Sequence, residues 1–210
     1  MKVVAFNGSP NNEGNTYHAL KIVTEALETE GIETEIVHVG NKSLRGCLAC
    51  GQCRKKRDEK CITDDEVNEW IQKFKAADGV ILGSPVHYAS IGATMKAFLD
   101  RAFYVAGNNG GIFRHKVGAA VVAVRRSGGM AAFDQLNHYL TYSEMLIPTS
   151  NYWNIIHGTR PGEALQDQEG VQIMRILGKN MAWLLKLVEN GNGSVPIPEQ
   201  EKKVMTNFIR

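Results

Sequence analysis

Val3-Val4-Ala5-Phe6-Asn7-Gly8-Ser9-Pro10-Asn11-Asn12-Glu13-Gly14-Asn15-Thr16 reads as a short apolar strand, a turn rich in hydroxyls and amides, and the start of a helical pattern. Unpaired backbone N–H groups at a helix N-terminus, with the positive end of its dipole, make such a turn a site for an anion. Ser9, Asn11, Asn15 and Thr16 add side-chain donors that carry no charge. The turn lacks the Gly-Lys-Ser/Thr ending that brings a lysine to a triphosphate, and it lacks G-x-G-x-x-G. It suits a monophosphate held by neutral donors. The same residue types also serve as plain helix caps, and the rest of the chain has to decide between the two.

Outward from this turn, strand and helix patterns alternate. Residues 2–6, 34–39, 79–82, 117–124 and a short stretch within 148–155 read as strands. Residues 16–30, 92–103, 130–146 and 170–189 read as helices. Another helix opens at Asp64-Asp65-Glu66, whose charge suits the dipole, and Val67, Trp70, Ile71 and Phe74 follow at helical spacing. Alternation of this kind implies right-handed crossovers and a parallel sheet covered on both faces. The fold expected is α/β, a doubly wound five-stranded parallel sheet of order 2-1-3-4-5, with its ligand at the carboxyl ends of the strands. In that arrangement three loops share one edge. The first is the phosphate turn. The second, Gly83-Ser84-Pro85-Val86-His87-Tyr88-Ala89-Ser90, has small residues and a proline that let a flat ligand approach. The third, Arg125-Arg126-Ser127-Gly128-Gly129-Met130, has an open backbone, and its arginines suit either a nucleotide phosphate or a solvated charge pair.

The 210 residues are 43% hydrophobic, enough for one well-buried domain over residues 1–190, with 191–210 as a surface arm that packs on a second subunit in a homodimer or homotetramer. A net charge of +2 gives no sign of nucleic acid as a partner. No apolar run approaches the ~20 residues of a membrane span, and no secretory leader is visible, so the expected location is cytoplasmic. The 6 histidines show no paired metal spacing, and only His87 falls in a candidate loop. Trp70 is expected in the core, and Tyr152 and Trp153 are read as packing residues, with a roof over the flat ligand or a substrate as the alternative. No Ser–His–Asp arrangement or other acid–base machinery is legible.

All 4 cysteines, Cys47, Cys50, Cys53 and Cys61, lie in a polar insertion at 41–63. Steps of C-x2-C let successive thiolates reach different irons of one cluster. A four-cysteine zinc site, which normally shows two separated pairs, and free thiols acting as a redox relay are the competing readings. Arg45, Arg54, Lys55, Lys56, Arg57 and Lys60 surround the run and are expected to depress thiol pKa values.

GSPNNEGNT (8–16), ADGVILGSPVHYASIGATMKAFLDR (77–101) and VGAAVVAVRRSGG (117–129) together resemble the NAD(P)H-dependent FMN reductase and iron–sulfur flavoprotein group of the flavodoxin-like superfamily. The likeness runs from residue 2 to about 158, and the block ending in Phe98-Leu99-Asp100-Arg101 is its most specific part. The resemblance implies that Ser9, Asn11, Asn15 and Thr16 hold the FMN phosphate. It implies that Pro85, Val86, His87 and Tyr88 line the ring and ribityl chain, and that Ser127, Gly128 and Gly129 close over the pyrimidine side. Whether His87 or Tyr88 faces the flavin stays open. The cysteine spacing resembles that of family members carrying a [4Fe–4S] cluster. The function implied is electron transfer from NAD(P)H through FMN to a flavin, quinone or similar acceptor. The alternatives are an iron–sulfur flavoprotein that exchanges electrons with a ferredoxin-type partner, and a binding module in which FMN is vestigial.

Overall fold

A computed structural model describes residues 1–209 of the chain. Its strands are β1 (Lys2–Asn7), β2 (Glu33–His38), β3 (Gly79–His87), β4 (Ser90–Ile91), β5 (Val117–Val124) and β6 (Ile155–His157). The helices are α1 (Asn15–Glu28), α2 (Gln52–Lys56), α3 (Glu66–Ala76), α4 (Ala93–Asn108), α5 (Gly129–Tyr142) and α6 (Gln168–Gly191), with a 3-10 turn at Glu163–Gln166. The sheet runs β2-β1-β3-β5-β6, with β4 off that path as a hairpin partner of β3. Every pairing along the path is parallel, so the expected order 2-1-3-4-5 is the one observed once β4 is set aside.

Side chains alternate across each strand with the period of two that a two-faced sheet demands. Val4, Phe6, Val80, Leu82, Ala120 and Val122 point to the face covered by α3, α4 and α5. Val3, Ala5, Ile81, Ala119 and Val121 point to the face covered by α1 and α6. The first face is aromatic: Phe74 stacks on Phe113 at 3.8 Å, and Phe6 meets Phe98 at 4.9 Å. Trp70, 4% exposed, packs edge-on to Phe98, as expected of a core residue. The second face is tight because α6 presents Gly178 to α1, where an added Cβ would lie 2.6 Å from the Ala26 Cβ. No helix among the described residues is long and apolar enough to cross a membrane.

Two boundaries differ from expectation. Strand β3 continues past Leu82 because β5 pairs with it as far as Pro85↔Ala123, whereas β1 stops at Asn7↔Gly83. The expected second loop is therefore a strand extension closed by a hairpin, Val86↔Ile91 and His87↔Ser90. The last strand lies at Ile155–His157, where it pairs with Val122, Ala123 and Val124, and not upstream around Pro148. Residues 192–209 carry no helix or strand. They cross the surface through the Arg114 guanidinium, which donates to the Pro198 carbonyl (3.0 Å), and the Lys203 ammonium, which donates to the Tyr142 hydroxyl (2.7 Å).

Candidate functional site

The phosphate turn is built by the last residues of two strands. Asn7, fully buried, accepts from the Ser9 N–H at 3.0 Å and donates to the Asn12 carbonyl at 3.1 Å. Ser9 Oγ accepts from the Asn11 N–H (3.2 Å), and the Ser9 carbonyl bonds the His38 Nε2 (2.8 Å). Gly8 N–H donates to the Gly83 carbonyl at 2.8 Å, tying the turn to β3. Helix α1 then starts from Gly14 with no side-chain cap. The plain-cap reading fails there, because none of the four candidate donors caps the helix. Thr16 Oγ1 is buried in the first turn with no hydrogen-bond partner, an orphan of the kind a bound anion satisfies. Asn15 is partly committed elsewhere, its Oδ1 accepting from the Ala164 N–H at 3.1 Å. Asn11 is exposed. Asn7 and His38 were not singled out from sequence, although their place as last residues of adjoining strands at the carboxyl edge is a usable signal.

The other two loops meet beside this turn. Ser84 Oγ accepts from the Gly92 N–H (3.0 Å) and closes the β3–β4 hairpin, which is pinned to α5 by hydrogen bonds from Ser90 Oγ and Ile91 N–H to Gln135. At its tip Tyr88 has φ +59° and is fully exposed, a conformation that costs a bulky residue energy and marks functional sites. His87 is also exposed, while Pro85 and Val86 are half-buried. Gly128, at φ +88°, has room for a Cβ only 3.2 Å from Val86, so the second and third loops touch. Gly128 also starts α5 without a side-chain cap. Gly129 is buried, and Arg125, Arg126 and Ser127 are exposed. The edge thus combines two uncapped helix starts with an open backbone, which suits a phosphate joined to a flat ligand.

Beyond the third loop lies a cleft of about 490 Å³ between Gly129, Ile155, Ile173 and the aromatic pair Tyr152 and Trp153. Those two aromatics were expected to pack. They are 59% and 48% exposed and form one wall, since β6 begins only at Ile155 and leaves them outside the sheet. Asp167 closes the far side, accepting from the Gly170 N–H (3.0 Å) as the cap of α6 and from the His157 N–H (2.8 Å). Burial alone would raise its pKa, but those two N–H groups and the His157 ring outweigh it and hold the carboxyl below its ordinary value of 3.8. A folded pKa below the unfolded one means stability present above about pH 4 and lost as pH falls through the depressed value. Asp167→Ala is expected to cost about 1 kcal/mol at pH 7, a difference that shrinks in urea melts as the pH approaches the depressed value.

The cysteine segment is folded against α3 and α4. Cys47, Cys50, Cys53 and Cys61 all line one pocket, together with Arg101 and Tyr104 of α4. Cys53 is buried, Cys61 half-buried, and Cys47 and Cys50 are exposed. The backbone between them turns sharply through left-handed residues at Ala49, Gly51, Arg57 and Glu59. Asn68 brackets Cys61, accepting from its N–H at 2.8 Å and donating to its carbonyl at 3.1 Å, and Asn109 donates to the Cys53 carbonyl at 3.4 Å. Among the described residues no group of three or more His, Cys, Asp or Glu side chains converges on a single metal position. A cubane places each ligand on a different iron, and four thiols lining one pocket are the donor set such a cluster takes. The expected depression of thiol pKa does not hold at Cys53, where burial first, then the nearby Cys61 and Cys47, push it up. The basic side chains of α2 point to solvent and leave the thiol with the apolar core.

Arg101, singled out only as the end of a family-like block, is 1% exposed and pairs with Asp65 at 2.6 and 2.8 Å. Asp65 is also the cap of α3, accepting from the Val67 N–H at 3.1 Å, so the acidic pair at 64–65 is the helix start expected of it. The signal for Arg101 was a charge at helical spacing inside the apolar stripe of Met95, Phe98, Leu99, Ala102 and Val105.

Residues 1–160 match the family model described as NADPH-dependent FMN reductase. The chain is 36% identical over 196 residues to iron-sulfur flavoprotein MJ1083 of Methanocaldococcus jannaschii, covering 90% of this chain and 100% of that protein. It is 30% identical over 191 residues to an iron-sulfur flavoprotein of Methanosarcina thermophila, covering 90% and 97%. The crystal structure of RosB with a bound 8-demethyl-8-formylriboflavin-5'-phosphate superposes with a TM-score of 0.72 at 16% identity, covering 100% of this chain and 94% of RosB.

Proposed function

We propose, from the premise that this chain belongs to the NADPH-dependent FMN reductase family and within it to the iron-sulfur flavoproteins, that it oxidises NADH or NADPH and reduces a small acceptor such as a flavin or quinone. The observation that carries this reading is the buried, unpartnered Thr16 hydroxyl at the uncapped start of α1. When bound there, FMN supplies the redox chemistry, accepting a hydride from a nicotinamide and releasing its electrons to an acceptor. The chain's residues bind and orient. Thr16, Ser9, Asn11 and the free Nδ2 of Asn15 would offer neutral donors to the phosphate, while Pro85, Val86, His87 and Tyr88 would line the ring and ribityl chain and Ser127, Gly128 and Gly129 would close over the pyrimidine side. Arg125 and Arg126 offer charge to the phosphates of a nicotinamide nucleotide. Cys47, Cys50, Cys53 and Cys61 would ligate a [4Fe–4S] cluster, which supplies a one-electron site. Reduced thiols of this kind fit a cytoplasmic location. The exposed apolar side chains Val204, Met205, Phe208 and Ile209 of the arm suit a homodimer or homotetramer.

Thr16→Val keeps the shape and removes the orphan hydroxyl. The flavin-free protein should gain about 1 kcal/mol, since a buried unsatisfied group is costly, while FMN affinity falls roughly 10- to 100-fold. Opposite signs in a melt and an FMN titration identify a ligand-directed hydroxyl; a loss in both would mark a structural one.

One observation favours a second reading. Arg54, Lys55, Lys56, Arg57 and Lys60 are exposed beside the cysteine pocket, a surface that attracts an acidic ferredoxin-type partner. The deciding experiment is anaerobic purification with iron and sulfide analysis, then reduction trials. Flavin bleaching by NADH or NADPH supports the reductase, and bleaching only by reduced ferredoxin supports the carrier. A colourless protein that takes up no FMN removes both.

A further inference from the structure

A guanidinium carries five N–H groups in one rigid plane, and every acceptor of Arg101 belongs to the stretch from residue 45 to 65. Nε donates to Cys61 Sγ (3.4 Å); Nη1 donates to the Arg45 carbonyl (3.4 Å) and Asp65 Oδ2 (2.6 Å). Nη2 donates to the Thr63 carbonyl (3.0 Å) and Asp65 Oδ1 (2.8 Å). The acceptors lie on both sides of the cysteine run: Arg45 precedes Cys47, and Thr63 and Asp65 follow Cys61. One side chain therefore ties the base of the loop that carries all four thiols. Asn68 bonds only the end of the loop, at Cys61 and Thr63, and Asn109 only its middle, at Cys53 and Glu59; neither reaches the residues before Cys47. Its left-handed non-glycine residues Ala49, Arg57 and Glu59 are in conformations that persist only where the surroundings over-determine them.

We propose that Arg101, with Asp65 as its counter-ion, is the positioning residue that keeps Cys47, Cys50, Cys53 and Cys61 in ligand-ready order before any cluster arrives, and that its Nε–H to Cys61 tunes the loaded centre. The tuning half rests on the cluster reading above; the ordering half is a property of the cluster-free chain. Partners of a ligand orient it and adjust its basicity, and hydrogen bonds to ligand sulfur are among the determinants of cluster potential. A lysine at this position offers three donors around a point charge and cannot span both ends of the loop at once.

The test compares wild type with Arg101→Lys in two states. In iron-free, FMN-loaded protein, hydrogen exchange across residues 45–65 should accelerate about tenfold while the sheet keeps its protection, and Cys47 and Cys61 should alkylate at altered rates. On anaerobic reconstitution, apparent affinity for iron should fall roughly tenfold, and the midpoint potential of whatever centre forms should move negative. Asp65→Asn, which retains a capping side chain, is the second variant should the lysine protein fail to fold, with the same local loss expected. Unchanged exchange and alkylation in either soluble variant overturn the proposal, and if wild type takes up iron at the same time the cluster reading survives that loss. Local loosening in the variant, beside a wild type that binds no iron or sulfide, keeps the ordering role and removes the tuning half with the cluster.

Discussion

Gly40→Ala is expected to weaken FMN binding roughly 100-fold, at the upper end of what removal of a single phosphate donor does. A Cβ at Gly40 would sit 2.1 Å from the Ser9 carbonyl oxygen, 2.3 Å from its carbon and 2.5 Å from the Gly8 carbonyl carbon. All three are backbone atoms, so no rotamer change relieves the clash. Either the end of β2 or the phosphate turn must move. The first is held by the Val39 and Gly40 N–H groups donating to the Asn7 carbonyl at 2.9 and 3.0 Å. The struck atoms belong to Gly8 and Ser9, so relief by the turn strains their bonds to Gly83, Asn7 and His38 and takes the Ser9 donors away from the phosphate. Overpacking of this kind costs typically 1–3 kcal/mol. An FMN fluorescence titration beside a thermal melt measures both parts. Gly107→Ala, where nothing lies within 4 Å, is the matched control in α4. Affinity retained by Gly40→Ala would mean the turn does not hold the flavin phosphate.

Arg101→Met should cost about 3–5 kcal/mol, because it leaves the Asp65 carboxylate and the Thr63 carbonyl without their cationic donor in a part-buried site. For a chain of this size that corresponds to a melting temperature lower by about 10 °C. Arg101→Met with Asp65→Asn should recover part of the loss, since the unpaired charge is gone and an asparagine still caps α3. If the double variant is as unstable as the single, the damage comes from the loop carbonyls and Cys61 rather than from the stranded carboxylate. Urea unfolding of the wild type, the two single variants and the double variant closes the cycle.

The strand, turn and helix start over residues 3–16 could be read from sequence because strand period and helix start are set within a few positions. The clustering of the four cysteines in one segment was legible for the same reason, while the thiols' environment was not. Cys53 faces the apolar core, and the neighbouring charges that were expected to activate it point to solvent. The reading of Tyr152 and Trp153 as packing residues failed because their neighbours look like strand, yet the pairing of β5 with β6 starts only at Ile155 and leaves them on a cleft wall.

From the sequence alone came the alternation of elements, the sheet order, the two-faced core and the identity of the donors at the carboxyl edge, all consequences of short-range periodicity and of the few topologies that bury both faces of a parallel sheet. Only the tertiary structure decided which groups those donors already serve. Asn15 is half engaged by Ala164 and Thr16 left free. His38 supports Ser9 from 29 residues away, and Arg101 closes the cysteine loop from as far as 56. Such contacts depend on where two packed elements bring distant side chains, and a hydrogen bond between them leaves no mark on the local pattern of either.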